Sequence, residues 1–305
     1  MNQAKPPIGV IGLGIMGGAM AEALLAQAYD VVGYDVRADA RQRLKDAGGR
    51  PLPSSTAVAK RADVVITSLA TVAALDDAAQ RIAAAGRPPG RSRLIVIETS
   101  TLRIDDKLRA MRRVQRAGMT LLDCPISGTA VRLKQGAWTI FVSGGVSACR
   151  RVKPIFEVFT RNAPYVGAFG NGTRMKFIAN HLVAIQNVAV AESLTFARKM
   201  GLDPQQVWEL FATNPVIGSG VFKLRGKFMV ERKYLPPTMK VEVWQKDMQV
   251  IGDMAKAVHC PTPLFSACVP VFNAAMAQGL SQHDTASVCE VLGGMAGIGP
   301  ARAKR

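Results

Sequence analysis

The chain is poor in several things at once. Its five cysteines, Cys124, Cys149, Cys260, Cys268 and Cys289, are odd in number, widely scattered and include no C-x-x-C pair. That excludes a disulfide framework and a zinc site of ordinary spacing. The three histidines, His181, His259 and His283, stand apart from any acid cluster, so no metal is expected. Although 49% of the residues are hydrophobic, no apolar run reaches the roughly 18 residues that suggest a membrane helix. Lys5, Pro6 and Pro7 lead straight into the first strand candidate, where a secretory leader would need an apolar stretch and a small-residue cleavage site. A cytoplasmic protein with no membrane partner is the expectation.

Acids are also scarce. Against 39 Lys and Arg there are 22 Asp and Glu, a net charge of +17. Such a charge is a reason to consider nucleic acid, provided the bases cluster. Two local concentrations exist, Arg37 to Lys45 and Arg103 to Arg116, and both mix in acids and apolar residues at helical spacing, as solvated helix faces do. No basic stretch is interleaved with aromatics of the kind that stack bases. The charge is better read as a field that attracts anionic substrates and dinucleotides.

What is present is order. The first half alternates short β-branched runs with helical patterns, the sequence form of a parallel sheet covered by helices. Strand candidates are Ile8 to Ile11, Val31 to Tyr34, Val64 to Ser68, Leu94 to Ile97, Leu121 to Asp123 and Trp138 to Val142. From about Gly172 a helical pattern runs for some seven turns, until Gly201 and Asp203-Pro204 interrupt it. Later apolar segments, around Val207 to Phe211, Val241 to Val258 and Phe265 to Ala277, are helical too and are separated by Pro-containing breaks. The expected fold is an α/β Rossmann-type N-terminal domain, residues 1–168, followed by an all-α C-terminal domain, residues 169–305, joined by a long interdomain helix.

The stretch "IGVIGLGIMGGAMAEAL" places Gly12, Gly14 and Gly17 as G-x-G-x-x-G between the first strand and the first helix. Gly12 permits the tight turn, Gly14 lets a pyrophosphate approach the backbone, and Gly17 lets helix and strand pack closely. Alone, the pattern also fits an ordinary glycine-rich turn. The next strand ends in "VVGYD", which puts Asp35 eighteen residues beyond Gly17, where an acid can accept hydrogen bonds from an adenosine ribose and repel a 2'-phosphate. NAD is therefore favoured over NADP, with Arg37 two residues on as the group that could meet a phosphate.

Further motifs go beyond a dinucleotide fold. "GLGIMGGAMAEAL", "DCPISGTAVRLKQGAW" from Asp123, "GNGTRMKFIAN" from Gly170 and "WQKDM" at Trp244 to Met248 follow one another along the chain. In content and order they resemble the β-hydroxyacid dehydrogenase family, which includes 3-hydroxyisobutyrate dehydrogenase and tartronate semialdehyde reductase and is related to 6-phosphogluconate dehydrogenase. Three positions depart from the family pattern: Ala70 where a proline often stands, Glu98 where an aspartate usually precedes the Ser-Thr pair, and Thr129 where the substrate motif usually has its second glycine.

The resemblance implies hydride exchange between nicotinamide and a small anionic β-hydroxy acid, 3-hydroxyisobutyrate-like, or its semialdehyde. It makes Lys176 the general acid and base, since an ammonium partly desolvated beside a cationic nicotinamide releases its proton more readily. Asn180, four residues on, shares that helix face and is expected to bind substrate. Ser127, Gly128 and Thr129 follow a strand end and would cradle the substrate carboxylate. Cofactor contacts are expected from Gly12, Leu13, Gly14, Ile15, Met16, Gly17 and Asp35, from Leu69, Ser100 and Thr101 after later strands, and from Lys246, with Asp247 as a helper. The apolar helices of the second half imply subunit packing into a homodimer or homotetramer. Within the family, reduction of tartronate semialdehyde is the alternative; outside it, a non-catalytic scaffold that binds nucleic acid, against which Lys176 argues.

Overall fold

The computed structural model describes residues 7–86, 92–128, 133 and 136–299. They divide into two compact units, Met1–Lys176 and Phe177–Arg305.

In the first unit, β1 (Ile8–Ile11), β2 (Val31–Tyr34), β3 (Arg50–Pro51), β4 (Val64–Thr67), β5 (Ile95–Glu98) and β6 (Thr120–Asp123) form one sheet in the order β3-β2-β1-β4-β5-β6. Every pairing in it is parallel. Helices cross between the strands: α1 (Ile15–Ala26), α2 (Ala38–Asp46), α3 (Ser55–Arg61), α4 (Val72–Ala84) and α5 (Ile104–Arg116). Their apolar faces cover the sheet, and all four residues of β1, β4 and β5 are buried, which is why those strands read as unbroken β-branched runs. The order reverses between β1 and β4, so the chain ends that follow these two strands diverge at one point on the carboxyl edge. This is the doubly wound dinucleotide fold.

One expectation needs correction here. The run Trp138 to Val142 does not join the parallel sheet; it forms β8 (Thr139–Ile140), antiparallel to β7 (Ile126–Ser127), with Ile126 opposite Ile140. Just beyond that run Ser143 bridges Asp123 in the antiparallel sense, so the segment doubles back against the end of β6 and does not cross over to lie parallel to it. Within Arg103 to Arg116 the apolar spacing becomes a buried face of α5, Ile104, Ala110 and Val114, with Asp106 and Lys107 buried alongside.

After α6 (Val146–Phe159) the long helix α7 (Asn171–Lys199) runs from the first unit into the second. It ends where Gly201 takes a φ of +78°, and Asp203 with Pro204 caps and opens α8 (Pro204–Phe211). A π-turn (Phe222–Gly226), α9 (Lys227–Glu231), α10 (Val241–Ala257), α11 (Pro263–Ala277) and α12 (Val288–Met295) follow, with no strand among the described residues. Trp244 of α10 packs against Phe272 of α11, ring centres 6.2 Å apart, and Phe265, Met229 and Cys289 of the same unit are buried too. The chain is thus an α/β unit followed by an all-helical one, joined by a single helix.

Candidate active site

The glycine turn sits on the carboxyl end of β1. A Cβ on Gly12, whose φ is +88°, would lie 2.2 Å from the carbonyl oxygen of Ser68, and one on Gly17 would lie 1.8 Å from that of Gly12. Neither position can carry a side chain. At Gly14 the reverse holds, since nothing lies within 4 Å of an added Cβ, so the backbone is open to approach. Gly14 is also the N-cap of α1, no side chain caps it, and the first turn carries no acid. The helix therefore presents partial positive charge to open space, which suits a pyrophosphate. Leu13 is buried beneath the turn, Ile15 is exposed and Met16 is half-buried.

Asp35 stands just beyond β2. Its Oδ2 accepts from the Leu13 N–H at 2.7 Å and its Oδ1 from the Arg37 N–H at 2.9 Å. The carboxylate is thereby tied to the glycine turn while each oxygen keeps a lone pair for a ribose hydroxyl. A cavity of about 590 Å³ opens alongside, lined by Leu13, Gly14, Ile15, Gly18 and Arg37 among others. Leu69 and Ser100 come together on the same edge: the Leu69 N–H donates to Ser100 Oγ at 2.8 Å, and Leu69 Cδ2 would lie 3.1 Å from a Cβ on Gly12. Thr101 follows Ser100 and is half-buried. The residues of the first unit thus fit a dinucleotide.

Ser127 ends β7 and Gly128 follows it. Gly128 has a φ of +146°, and a Cβ there would lie 2.4 Å from Trp138 Cδ1, so the indole, 1% exposed, packs directly against this backbone. Thr129 lies outside the described residues. Cys124, next to Asp123, is fully buried; burial first, then the Asp123 charge, hold its thiol well above the ordinary range, and it remains a packing group.

Lys176 is 9% exposed and lies in the second turn of α7. The first turn of that helix is seated on the carboxyl end of β6. Thr173 donates to both oxygens of Asp123, its N–H to Oδ2 at 2.8 Å and its hydroxyl to Oδ1 at 2.7 Å. Beneath them Lys107 Nζ reaches Asp123 Oδ1 and Glu98 Oε2 at 2.8 Å each and donates to Thr173 Oγ1 at 3.0 Å. Lys107, Glu98 and Asp123 are all fully buried. Burial works against the Lys107 charge, but Asp123 and Glu98 outweigh it and hold the ammonium above the ordinary lysine range.

In the second unit Asn180 and Asp247 meet. Asn180 Nδ2 donates to Asp247 Oδ2 at 2.8 Å, and both residues are buried. Among the described residues nothing donates a hydrogen bond to Asp247 Oδ1, which lies 3.4 Å from Lys246 Nζ. His181 stacks on Phe265, ring centres 5.2 Å apart, which gives it a packing role.

Residue-type reasoning missed Lys107, Glu98 and Thr173 as a group. A signal existed: Ile104, Lys107, Ala110 and Val114 fall on one helical face, so Lys107 occupies an apolar position, and two strands end in the acids Glu98 and Asp123.

With this geometry in view, likeness to known proteins is decisive. The family model for the NAD binding domain of 6-phosphogluconate dehydrogenase matches residues 7–167, and that for the NAD-binding region of NADP-dependent 3-hydroxyisobutyrate dehydrogenase matches residues 170–292. The chain belongs to the β-hydroxyacid dehydrogenase family. This family member is 30% identical to L-threonate dehydrogenase of Cupriavidus necator over 94% of its own length and 96% of the relative's. It is 29% identical to 2-hydroxy-3-oxopropionate reductase of Escherichia coli, with coverages of 93% and 96%. Among solved structures, Mycobacterium tuberculosis 3-hydroxyisobutyrate dehydrogenase with L-serine superposes with a TM-score of 0.84 at 25% identity, covering 94% of this chain and 99% of that one.

Proposed function

We propose that this chain is an NAD(P)-dependent oxidoreductase that interconverts a small β-hydroxy acid and its semialdehyde, with Lys176 carrying the proton and NAD as the preferred dinucleotide. The observation that carries the reading is the placement of Lys176. It is an amine nine-tenths buried, one turn beyond a helix start fixed to the carboxyl end of β6, and the carboxyl ends of parallel strands share the sheet edge that bears the glycine turn.

Bound dinucleotide supplies a hydride acceptor or donor at nicotinamide C4. The rest falls to the chain. The α1 N-terminus and Gly14 would take the pyrophosphate, with Leu13, Ile15 and Met16 around it and Gly12 and Gly17 shaping the turn, and Leu69, Ser100 and Thr101 would supply further cofactor contacts. Asp35 accepts from the adenosine ribose and disfavours a 2'-phosphate. The family model that names an NADP-dependent enzyme covers the later segment and leaves Asp35 outside it. Lys246 would be a further residue holding the cofactor.

For the substrate, Ser127 with the Gly128 N–H and Thr129 binds the carboxylate, which orients the hydroxyl. Asn180, one helical turn beyond Lys176, hydrogen-bonds the substrate while Asp247 fixes its amide. Lys176 Nζ then removes the hydroxyl proton in oxidation and returns one to the aldehyde oxygen in reduction. Acids carrying additional hydroxyls are favoured within the class, because the two curated relatives described above are named for L-threonate and 2-hydroxy-3-oxopropionate.

Exposed apolar side chains on the second unit, among them Phe196, Leu210, Val216 and Ile217, support assembly as a homodimer or homotetramer. No helix among the described residues is long and apolar enough to cross a membrane, and a cytoplasmic location is part of the proposal.

The test is direct. Formation of reduced dinucleotide is followed with NAD or NADP and a panel of 3-hydroxyisobutyrate, L-threonate, glycerate and L-serine, and its consumption with 2-hydroxy-3-oxopropionate. Turnover with at least one, faster with NAD, is expected; a protein that binds neither dinucleotide would sink the proposal.

A further inference from the structure

The Glu98–Lys107–Asp123 cluster makes no contact that the proposed reaction requires, yet it joins two of that reaction's parts. On one side, both Glu98 oxygens lie 3.1 Å from the Ser100 N–H, and Ser100 Oγ in turn accepts from the Leu69 N–H at 2.8 Å. Glu98 therefore fixes the loops that follow β4 and β5. On the other side, Asp123 holds Thr173 through both its carboxylate oxygens, and Ser143 Oγ accepts from the Gly172 N–H at 3.0 Å while donating to the Asp123 carbonyl at 2.8 Å. A Cβ at Gly172 would lie 2.5 Å from the Phe141 carbonyl oxygen and 2.6 Å from that of Asp123, so the first turn of α7 lies flush against the end of β6. Lys107 bridges the two sides, with ammonium contacts to Glu98, Asp123 and Thr173 all within 3.0 Å.

Such a cluster is a poor way to gain stability, because desolvation of three charges offsets most of their attraction and apolar residues of similar volume serve as well. Its distinctive property is geometry: three short, directional bonds from one ammonium fix the helix start in position and in rotation about its axis. Thr173 and Lys176 are three residues apart and so lie on one face of α7. Any rotation of the first turn therefore swings the Lys176 amine.

We infer that Lys107 is a positioning residue: through Glu98 and Asp123 it holds the dinucleotide loops and the Lys176-bearing turn of α7 in register. This rests on the reading of Lys176 as proton carrier. Lys107 touches neither substrate nor cofactor and acts only through the groups it ties together.

Three variants and a control test it. Thr173→Val removes the bridging hydroxyl at constant shape and charge, and Thr173→Ser restores it. Lys107→Met combined with Glu98→Gln removes the bridge but leaves the cluster's net charge at minus one, which guards against misfolding from two unpaired buried carboxylates. Each is compared with wild type for thermal unfolding, NADH binding by fluorescence, kcat and KM on the substrate found by the panel, and the titration of the Lys176 amine by lysine-labelled NMR without ligand. Since displacements of about 1 Å in an active site cost up to ~100-fold, Thr173→Val should lower kcat about tenfold and the double variant about 100-fold, with KM and NADH affinity within about threefold. Thr173→Ser should recover kcat, and the Lys176 titration midpoint should move in Thr173→Val. Folded, NADH-binding variants with wild-type kcat and an unmoved Lys176 titration would overturn the inference while Lys176→Ala stays inert. Should Lys176→Ala itself turn over, the reading of Lys176 falls and the inference with it.

Discussion

Asp123 and Asp247 are buried carboxylates, one in each unit, and their surroundings differ. Asp123 receives Lys107 and the Thr173 hydroxyl on Oδ1, and the Thr173 N–H on Oδ2 with the Ser143 hydroxyl 3.3 Å away. Asp247 receives Asn180 on Oδ2, and its Oδ1 is left with the Lys246 ammonium at 3.4 Å and no hydrogen bond among the described residues. A saturated carboxylate cannot take a new partner without giving up an old one, so it serves architecture. One with a spare oxygen retains acceptor capacity for a ligand or a moving lysine. Burial alone does not distinguish the two; the count of satisfied lone pairs does.

Removing a partner from the saturated cluster should have the largest effect on stability. Lys107→Met alone strands two buried carboxylates and should cost about 3–5 kcal/mol in urea unfolding. A loss below about 1 kcal/mol would mean that the cluster is not the closed unit its distances describe. At the half-satisfied acid the balance reverses. Asp247→Asn should change stability by no more than about 1 kcal/mol, while kcat/KM for the hydroxy acid falls about tenfold as the carboxylate acceptor that orients Asn180 becomes a weaker amide oxygen. Equal losses of stability at the two sites would erase the contrast between them.

Asp35 is intermediate, anchored by two backbone N–H groups but with lone pairs to spare. Asp35→Asn should weaken NAD binding by about tenfold in calorimetric titration and narrow the gap to NADP. Unchanged selectivity would remove Asp35 from the ribose site.

The smallest effects are in pH dependence, and the two units should respond at opposite ends of the scale. Lys107 is held protonated above the ordinary lysine range, so its stabilisation is complete below an unfolded-state pKa of about 10.4 and drains away as pH rises further. In the second unit, Glu290 bonds to Arg232 and to the Tyr234 hydroxyl; burial opposes its charge, but these partners outweigh burial and lower its pKa. That contribution is present above an unfolded-state pKa of about 4.3 and is lost as pH falls through the lower folded value. Unfolding across pH should show Lys107→Met flattening the alkaline limb and Glu290→Gln flattening the acid limb.

The parts of this molecule legible in its sequence are those governed by local rules. Gly12, Gly14 and Gly17 announce a turn because each glycine answers a steric demand made within a few residues or by the adjoining strand. The β-branched runs announce strands buried on both faces, and the long apolar periodicity before Gly201 announces α7. Lys107 was obscured because its partners lie nine, sixteen and sixty-six residues away in the chain, and a lysine among arginines on a charged helix looks solvated until its face is compared with Ile104, Ala110 and Val114. β7 was obscured by its two-residue length, too short for any periodicity to register.

The central claim is that Lys176 moves the proton in a dinucleotide-dependent oxidation. Its most direct test compares Lys176→Ala with wild type for turnover on the preferred hydroxy acid and, in the same preparation, for NADH affinity. The account predicts kcat lower by about 10²–10⁴-fold with NADH affinity essentially unchanged. Retained turnover in a variant that still binds NADH would contradict it.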